Sequence, residues 1–297
     1  MIKIKSVIIF LLFLLAFFSL LSCGGNEPAE TTPKVFTVCE HEPGEWIIDR
    51  EPTLEDTGAA HVECIHCGFV LEFKSTPKLS LSKDELYEKL RQSLVKVLVN
   101  VDKNDDDYDF QGSGFFIDDK GTFVTNAHVI EGACSVFIVD STGAEYEADM
   151  LIAYEYYEGS FYNDYALLRV SSYPNSVSVE FAGDAHPGDT AYTIGFPGGV
   201  DEPYIAEGEI LNMTYHDCIL SSCYTAPGSS GGILINTQGK VLGITSRIGY
   251  DADYNYIQYS VRYLMFVDAL ENDIHNAKSP FEFFYPDGIP EETTNLE

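Results

Sequence analysis

Basic residues are scarce in this chain, which has 17 lysines and arginines against 47 aspartates and glutamates among its 297 residues. The formal net charge of −30 creates a field that repels phosphate backbones and anionic lipid headgroups. We therefore expect no nucleic acid among the partners of this protein. The same field favours high solubility and attracts basic substrates, although charge alone does not identify a substrate.

Long apolar runs are also lacking beyond the N-terminus. A membrane-spanning helix needs about 20 apolar residues, and the run from Val7 to Phe18 is shorter than that. It follows two early lysines and leads into Leu20-Leu21-Ser22-Cys23, a pattern typical of a secretory signal peptide, and these four residues resemble the bacterial lipobox. We predict a lipoprotein signal peptide over 1–22 and a lipid on Cys23 that anchors the exported protein to a membrane of the cell envelope. An ordinary signal peptide or an uncleaved anchor would also export the chain.

The seven cysteines include two closely spaced groups, Cys39-Glu40-His41 and Cys64-Ile65-His66-Cys67. A Cys-x-His pair and a Cys-x-x-Cys pair supply four ligands, which satisfy tetrahedral zinc and leave no open position. We predict a zinc-ribbon-like module over 36–74, whose structural zinc is held by Cys39, His41, Cys64 and Cys67. His61 and His66 are the alternative ligands.

This module follows a polar tether over 23–35 and is too short to bury much of a core, so the metal would stabilise its fold. Two alternatives compete with zinc. An exported chain can form disulfides instead, and a Cys-x-x-Cys pair can be redox-active. The pairing of the three remaining cysteines, Cys134, Cys218 and Cys223, stays open.

A serine lies inside a glycine-rich turn that leads into an apolar strand, in the segment Gly228-Ser229-Ser230-Gly231-Gly232-Ile233-Leu234. Glycine lets the backbone approach a reacting carbonyl group and aim its N–H groups at one point. Upstream, a β-like run over 122–130 reaches His128, and another run opens at Asp164. A serine hydroxyl needs an imidazole to accept its proton and a carboxylate to orient that imidazole, and these residues supply the set. Taken singly, each of them is more often an ordinary turn or strand-end residue.

Six segments occur in the order expected of one family: Gly112–Ile117, Thr125–Val129, Asp164–Leu168, Thr193–Gly199, Gly228–Gly232 and Gly239–Ser246. Together they resemble the trypsin-like serine proteases, and the bacterial HtrA-like branch in particular. The resemblance implies that Ser230 is the nucleophile, His128 the general base and Asp164 the orienting acid. It also implies an oxyanion hole formed by the backbone N–H groups of Gly228 and Ser230, and no cofactor for catalysis. The family usually has Asn or Asp where this chain has Ser229.

Short β-rich runs alternate with turns from Gly114 onward, which indicates an all-β fold of antiparallel sheets. The resemblance refines this expectation to two six-stranded antiparallel β-barrels over 95–182 and 187–260, with the active site between them. The two barrels belong to a protease domain over 80–275. A capping box at Ser82 predicts a helix near the start of this domain.

A C-terminal helix is predicted after the second barrel, because Leu264, Val267, Leu270 and Ile274 lie on one helical face that can pack on the barrel. An acidic tail over 276–297 follows it. We expect no PDZ domain in this tail, since it is too short for the one that many HtrA-like proteins carry.

We therefore expect an exported serine endopeptidase that hydrolyses peptide bonds of proteins or peptides through an acyl-enzyme on Ser230. Its primary pocket would be walled by 224–227 and 246–249. The absence of acidic residues between Cys218 and Ser230 argues against a preference for Lys or Arg. Arg247 could favour an acidic substrate side chain, although a solvent-facing position is the preferred interpretation. Two other functions remain open: an inactive protease-fold lipoprotein that binds partners, and a redox or metal-handling lipoprotein.

Overall fold

The computed structural model describes residues 39–102, 108–156, 164–173, 176–183, 185–213, 218–263 and 277–286. The predicted signal peptide, the lipidated Cys23 and most of the tether and of the acidic tail lie outside these residues. The same holds for the C-terminal helix that the sequence predicts between Leu264 and Ile274.

The described residues form sixteen β-strands and two α-helices. The strands are β1 (Pro43–Arg50), β2 (Gly58–Cys64), β3 (Val70–Thr76), β4 (Leu94–Asn100), β5 (Phe110–Phe116), β6 (Thr122–Thr125), β7 (Ser135–Val139), β8 (Glu145–Glu147), β9 (Met150–Tyr156), β10 (Asp164–Arg169), β11 (Thr190–Gly195), β12 (Tyr204–Met213), β13 (Cys218–Ser221), β14 (Ile233–Asn236), β15 (Val241–Tyr250) and β16 (Tyr256–Arg262). The helices are α1 (Lys83–Leu90) and α2 (Pro280–Phe284), and each begins with a capping box. Within the described ranges, every helix is too short or too polar to cross a lipid bilayer.

The strands β1, β2 and β3 form a small antiparallel sheet in that order, which we call the N-terminal sheet. Along β2 every second residue is buried, including Ala60, Val62 and Cys64. The outer strands are largely exposed, and Phe73 in β3 exposes 73% of its surface. A sheet that buries so little apolar area is not expected to be stable by itself, so another interaction must support it.

Seven strands form the second sheet, in the order β8-β7-β4-β5-β6-β10-β9, and we call it the first half of the protease domain. Here the structure differs from the predicted six-stranded barrel, because no strand ladder joins β7 or β8 to β9 among the described residues. The edge of β9 instead pairs with the C-terminal segment at one position, where Leu151 and Lys278 exchange two backbone hydrogen bonds of 2.6 and 3.2 Å. The bond from the N–H of Ala148 to the carbonyl of Val136, at 2.8 Å, extends the β7–β8 pairing by one residue.

The remaining six strands close into a barrel in the order β11-β12-β13-β16-β15-β14, as predicted for the second barrel. The predicted all-β class and the closed second barrel are therefore confirmed. One buried cluster contains side chains from both halves of the domain, including Phe115, Val124, Leu167, Ile194, Ile233 and Ile244. Because the halves share this apolar core, they pack directly against each other and hold the loops between them in place.

The N-terminal sheet is attached to the second barrel through the β14–β15 turn. Lys240 forms an ion pair of 2.7 Å with Glu55, and the side-chain amide of Gln238 donates to the carbonyl of Leu79 at 2.9 Å. The ion pair is partly exposed, so water and salt screen it and its contribution to stability is small. The β14–β15 turn follows β14, whereas the loop that carries Ser230 precedes it. The attachment therefore lies at the other end of this strand from Ser230.

Among the described residues, three cysteines lie outside the N-terminal module, namely Cys134, Cys218 and Cys223. All three are buried and none of them is in a disulfide. Burial raises the pKa of Cys218 to about 12 and that of Cys223 to about 11. Both thiols are therefore protonated and packed as small apolar groups at neutral pH.

Candidate active site

Two neighbouring strands bring His128 and Asp164 together. His128 lies in a single 3-10 turn, Ala127–Val129, just after β6, and Asp164 is the first residue of β10. The strands β6 and β10 are antiparallel partners, with Ala166 opposite Thr125. The end of one strand therefore meets the beginning of the other, although the two residues are far apart in the chain.

The carboxylate of Asp164 is fully buried and hydrogen-bonded on both oxygens. Oδ2 is 2.8 Å from Nδ1 of His128, and Oδ1 accepts the backbone N–H of the same residue at 3.0 Å. The hydroxyl of Ser246 also donates to Oδ2, at 2.5 Å. When the Nδ1–H of a neutral His128 donates to this carboxylate, Nε2 carries no proton and is available to accept one.

The pKa of Asp164 lies below its usual value. Burial acts to raise this pKa, but the hydrogen bonds and charge of His128, together with the hydroxyl of Ser246, outweigh that effect. Arg247 lies nearby as well, with Nε 4.0 Å from Asp164 Oδ2. Asp164 is therefore an anion at neutral pH, as an orienting carboxylate must be.

The loop before β14 depends on glycine at two positions. Gly228 has a φ of +94° and Gly231 a φ of +86°, which L side chains rarely adopt. A Cβ on Gly228 would lie 2.6 Å from the carbonyl oxygen of Phe196, and one on Gly231 would collide with the carbonyl oxygen of Ser113. The loop is thus held tightly between the two halves of the domain.

The N–H groups of Gly228 and Ser230 donate to no group within the described part of the chain, whereas the N–H of Ser229 donates to Ala226 at 2.9 Å. The carbonyl group before each unpaired N–H is occupied: that of Pro227 accepts from Gly198 at 2.7 Å, and that of Ser229 from Gly232 at 2.9 Å. Because C=O and N–H point in opposite directions across a trans peptide, both N–H groups face away from these bonds. Two such donors are what an oxyanion hole requires.

Ser230 reaches the His128–Asp164 pair through Ser246. Its Oγ donates to the carbonyl oxygen of Ser246 at 3.3 Å, while the hydroxyl of Ser246 donates to Asp164. The structure thus brings the predicted nucleophile beside the pair without a hydrogen bond between Ser230 and His128. Contacts between a nucleophile and its base are often long or poorly aligned before substrate binds.

A cleft of about 380 Å³ opens beside Ser230. It is lined by Thr225, Ala226, Pro227, Ser229, Ser230, Thr245, Ser246, Arg247 and Ile248, so both predicted walls contribute to it. Arg247 is only partly exposed, and its guanidinium carbon lies 6.0 Å from the ring centroid of Tyr156. The side chain therefore packs beside the cleft rather than extending into solvent.

Sequence reasoning missed two polar residues that support the site. The side-chain amide of Asn126 donates to the carbonyl of Asp164 at 2.7 Å, and Ser113 hydrogen-bonds the nucleophile loop. Both are fully buried. The available signal was a polar residue inside an otherwise apolar or glycine-containing β-run, at Gly112-Ser113-Gly114-Phe115-Phe116 and at Val124-Thr125-Asn126-Ala127.

The four predicted metal ligands also lie together, at the end of the N-terminal sheet. The ligand atoms of Cys39, His41, Cys64 and Cys67 are all within 4.8 Å of one another. The Sγ atoms of Cys39 and Cys64 are 3.6 Å apart, and Cys67 Sγ is 3.4 Å from His41 Nδ1. A tetrahedral zinc ion has edges of about 3.8 Å between sulfurs and about 3.5 Å between sulfur and nitrogen, so this donor set fits zinc.

The two alternative histidine ligands have other partners. His61 contacts the carboxylates of Asp49 and Glu63 at 2.7 and 3.2 Å, and His66 contacts Glu42 at 3.0 Å. Cys39 and Cys64 are not joined in a disulfide. Of the candidate ligands, the set chosen from the sequence is the one that the structure groups.

Comparison with known proteins gives this arrangement a context. Residues 112–244 match the family model described as a trypsin-like peptidase domain. The solved structure of the serine endoprotease from Yersinia pestis has a TM-score of 0.57 and 22% identity, covering 67% of this chain and 69% of that chain. The chain thus has the fold of the trypsin-like class, and residues 112–244 are similar to its peptidase domain.

Within that class, the chain is similar to proteases of the HtrA-like branch, and the predicted resemblance is confirmed. A putative serine protease, HhoA, from Synechocystis is 30% identical over 156 residues, which are 48% of this chain and 38% of that protein. The periplasmic serine endoprotease DegP of Escherichia coli is 32% identical over 148 residues, which are 46% of this chain and 30% of that protein. A probable DegP-like protease from Halomonas elongata is 33% identical over 147 residues, or 46% of this chain and 29% of that protein. The chain thus spans well under half the length of these relatives.

Proposed function

We propose that this protein is a serine endopeptidase that cleaves protein or peptide substrates. The observation that carries the proposal is the bond between His128 Nδ1 and Asp164 Oδ2, placed beside a serine whose loop offers two unpaired N–H groups. The relatives described as serine endoproteases support the same activity.

The reaction begins when Oγ of Ser230 attacks the scissile carbonyl carbon and His128 Nε2 accepts the hydroxyl proton. The resulting oxyanion is stabilised by the N–H groups of Gly228 and Ser230. His128 then donates its proton to the leaving amine, and the acyl group remains on Ser230. Water, deprotonated by His128, attacks the acyl-enzyme and releases the second product. Asp164 stays ionised throughout and stabilises the imidazolium.

The cleft beside Ser230 supports a substrate preference other than Lys or Arg. Its lining has no carboxylate, and its one charged side chain is the cation of Arg247. A basic side chain at this subsite would meet like charge without a partner.

We also propose export and membrane attachment, with the signal peptide over 1–22 and lipid on Cys23. Two of the relatives are described as periplasmic, which supports export. Mass spectrometry of the protein from isolated membranes tests the lipid anchor. A mature N-terminus at Cys23 that carries diacylglycerol supports it, whereas an unmodified Met1 or a later N-terminus contradicts the lipid on Cys23 but not export.

A structural zinc in the N-terminal module is the third proposed property. The donor set of Cys39, His41, Cys64 and Cys67 supports it, because the four ligand atoms lie within 4.8 Å of one another. Four protein ligands complete a tetrahedral zinc site and leave no position for a catalytic water. Zinc would hold the ends of the N-terminal sheet together, where apolar burial is slight.

Labelling with a fluorophosphonate tests the enzymatic proposal. Wild type should be labelled at one serine, and both Ser230→Ala and His128→Ala should lose the label. If folded wild type is not labelled, the protein is an inactive binding scaffold instead. A peptide library then reports the residue preferred before the cleaved bond, where frequent Lys or Arg would contradict the expected preference.

A further inference from the structure

Ser113 connects the first half of the protease domain to the loop that carries Ser230. It lies in β5 and none of its surface is exposed. Its backbone N–H donates to the carbonyl oxygen of Ser230 at 2.7 Å, and its hydroxyl donates to the carbonyl oxygen of Gly228 at 2.8 Å. Its own carbonyl oxygen accepts the hydroxyl of Thr125 at 2.7 Å, at the end of the strand that precedes His128.

The same hydroxyl also controls the turn on the other side of the loop. The backbone N–H of Phe196 donates to Ser113 Oγ at 2.9 Å. Two residues later in that turn, the N–H of Gly198 donates to the carbonyl of Pro227 at 2.7 Å. Ser113 therefore fixes the Gly228 carbonyl directly and supports the turn that holds the Pro227 carbonyl.

These contacts determine where the unpaired N–H groups point. The peptide between Gly228 and Ser229 lies between the two peptides that carry the N–H groups of Gly228 and Ser230. Its carbonyl is held by Ser113, and its N–H is held by Ala226 at 2.9 Å. If this central peptide rotates, both neighbouring peptides rotate with it, and their N–H groups no longer face one point.

We infer that Ser113 is a positioning residue that aims the N–H groups of Gly228 and Ser230 at the developing oxyanion. This inference deepens the proposed function and depends on it. The hydroxyl is suited to the task because it is both donor and acceptor in a buried site. Among the described residues, it is the only hydrogen-bond partner of Gly228 O and of Phe196 N–H. Space is limited as well, since a Cβ on Gly195 would lie 2.9 Å from Ser113 Oγ.

Ser113→Ala removes the hydroxyl, and Ser176→Ala is its matched control. Ser176 is also buried, and its hydroxyl likewise donates to a backbone carbonyl, that of Asp118, and accepts a backbone N–H, that of Gly121, each at 2.8 Å. Its partners lie in the β5–β6 turn and not in the nucleophile loop. The two variants thus lose equivalent hydrogen bonds, and only one of them loses contact with Gly228.

We expect kcat of Ser113→Ala to fall about 10- to 100-fold, somewhat less than the loss of an oxyanion donor itself, with KM within about twofold of wild type. Ser176→Ala should retain kcat, even if its unfolding temperature falls as much. Each rate is divided by the active sites titrated to completion with a fluorophosphonate, so that misfolded protein does not contribute. The rate of fluorophosphonate labelling should fall with kcat.

The outcomes separate this inference from the proposed function. Absence of labelling in folded wild type refutes the proposed function and the inference with it. Normal labelling of wild type together with unchanged kcat in Ser113→Ala overturns the inference alone, as does an equal loss of kcat in both variants. If Ser113→Ala does not fold, Ser113→Cys is judged by the same criteria, because sulfur fills the space and hydrogen-bonds only weakly.

Discussion

His128 makes two hydrogen bonds to Asp164, from its backbone N–H to Oδ1 at 3.0 Å and between Nδ1 and Oδ2 at 2.8 Å. The first bond fixes the carboxylate relative to the turn that carries the imidazole. The second fixes the ring and its tautomer. A carboxylate held this way is more than a counter-ion, because its geometry decides which ring nitrogen faces the substrate.

Asp164→Asn should therefore lower kcat by about 10⁴-fold while the protein stays folded. The amide can donate to Nδ1, which stabilises the tautomer with its proton on Nε2, so the base is blocked. Steady-state kinetics on a peptide substrate measures this loss. Asp140→Asn is the control, because Asp140 is also a hydrogen-bonded carboxylate but caps the turn at Thr142. An Asp164→Asn enzyme with more than a tenth of wild-type kcat would contradict the assigned role.

Gly228→Ala should lower kcat by about 10²- to 10³-fold, because the added Cβ would lie 2.6 Å from the carbonyl oxygen of Phe196 and displace an oxyanion donor. Gly188→Ala is a matched control: its φ of +90° is similar, and nothing lies within 4 Å of the added Cβ. Both variants should lose about 1–3 kcal/mol of stability from backbone strain. Kinetics and thermal unfolding measured together would refute the prediction if both variants lost kcat equally.

The sequence was sufficient to predict the catalytic candidates and the all-β class, because local patterns carry them. Glycines around Ser230 and the strand ends at His128 and Asp164 are visible in short segments. The bond of 2.5 Å between Ser246 and Asp164 joins residues 82 positions apart, so no short segment contains it.

Features that depend on distant parts of the chain could not be predicted. The two partners of the Ser113 hydroxyl, Phe196 and Gly228, are 83 and 115 residues away. The sheet in the first half of the domain does not close into a barrel, and this also depends on a distant segment. The edge of β9 pairs at Leu151 with Lys278. Periodicity and turn residues contain no information about such pairings.

The pH dependence of stability should reflect the lowered pKa of Asp164. A carboxylate whose pKa is lower in the folded state stabilises the fold at pH values above its unfolded pKa, and this contribution is lost as the pH falls through the folded value. The ordinary pKa is 3.8, so the contribution should be complete at pH 6 and decline below about pH 4. Wild type should unfold at a higher temperature than Asp164→Asn at pH 6, and the difference should narrow as the pH falls below 4. A difference that widens there would show that burial, which acts to raise this pKa, is the stronger effect.

The N-terminal module should contain one zinc ion per chain, and Cys67→Ser should abolish binding. His66→Ala is the matched control, because His66 is adjacent in the chain but contacts Glu42 instead of the four-ligand group. Elemental analysis of both purified variants measures the metal content. Since the N-terminal sheet buries little apolar surface, chelation should make residues 39–76 sensitive to proteolysis while kcat per titrated active site stays constant. The opposite result is a wild-type protein that contains no zinc and in which two of the three module cysteines do not react as free thiols. That result would establish a disulfide in the module.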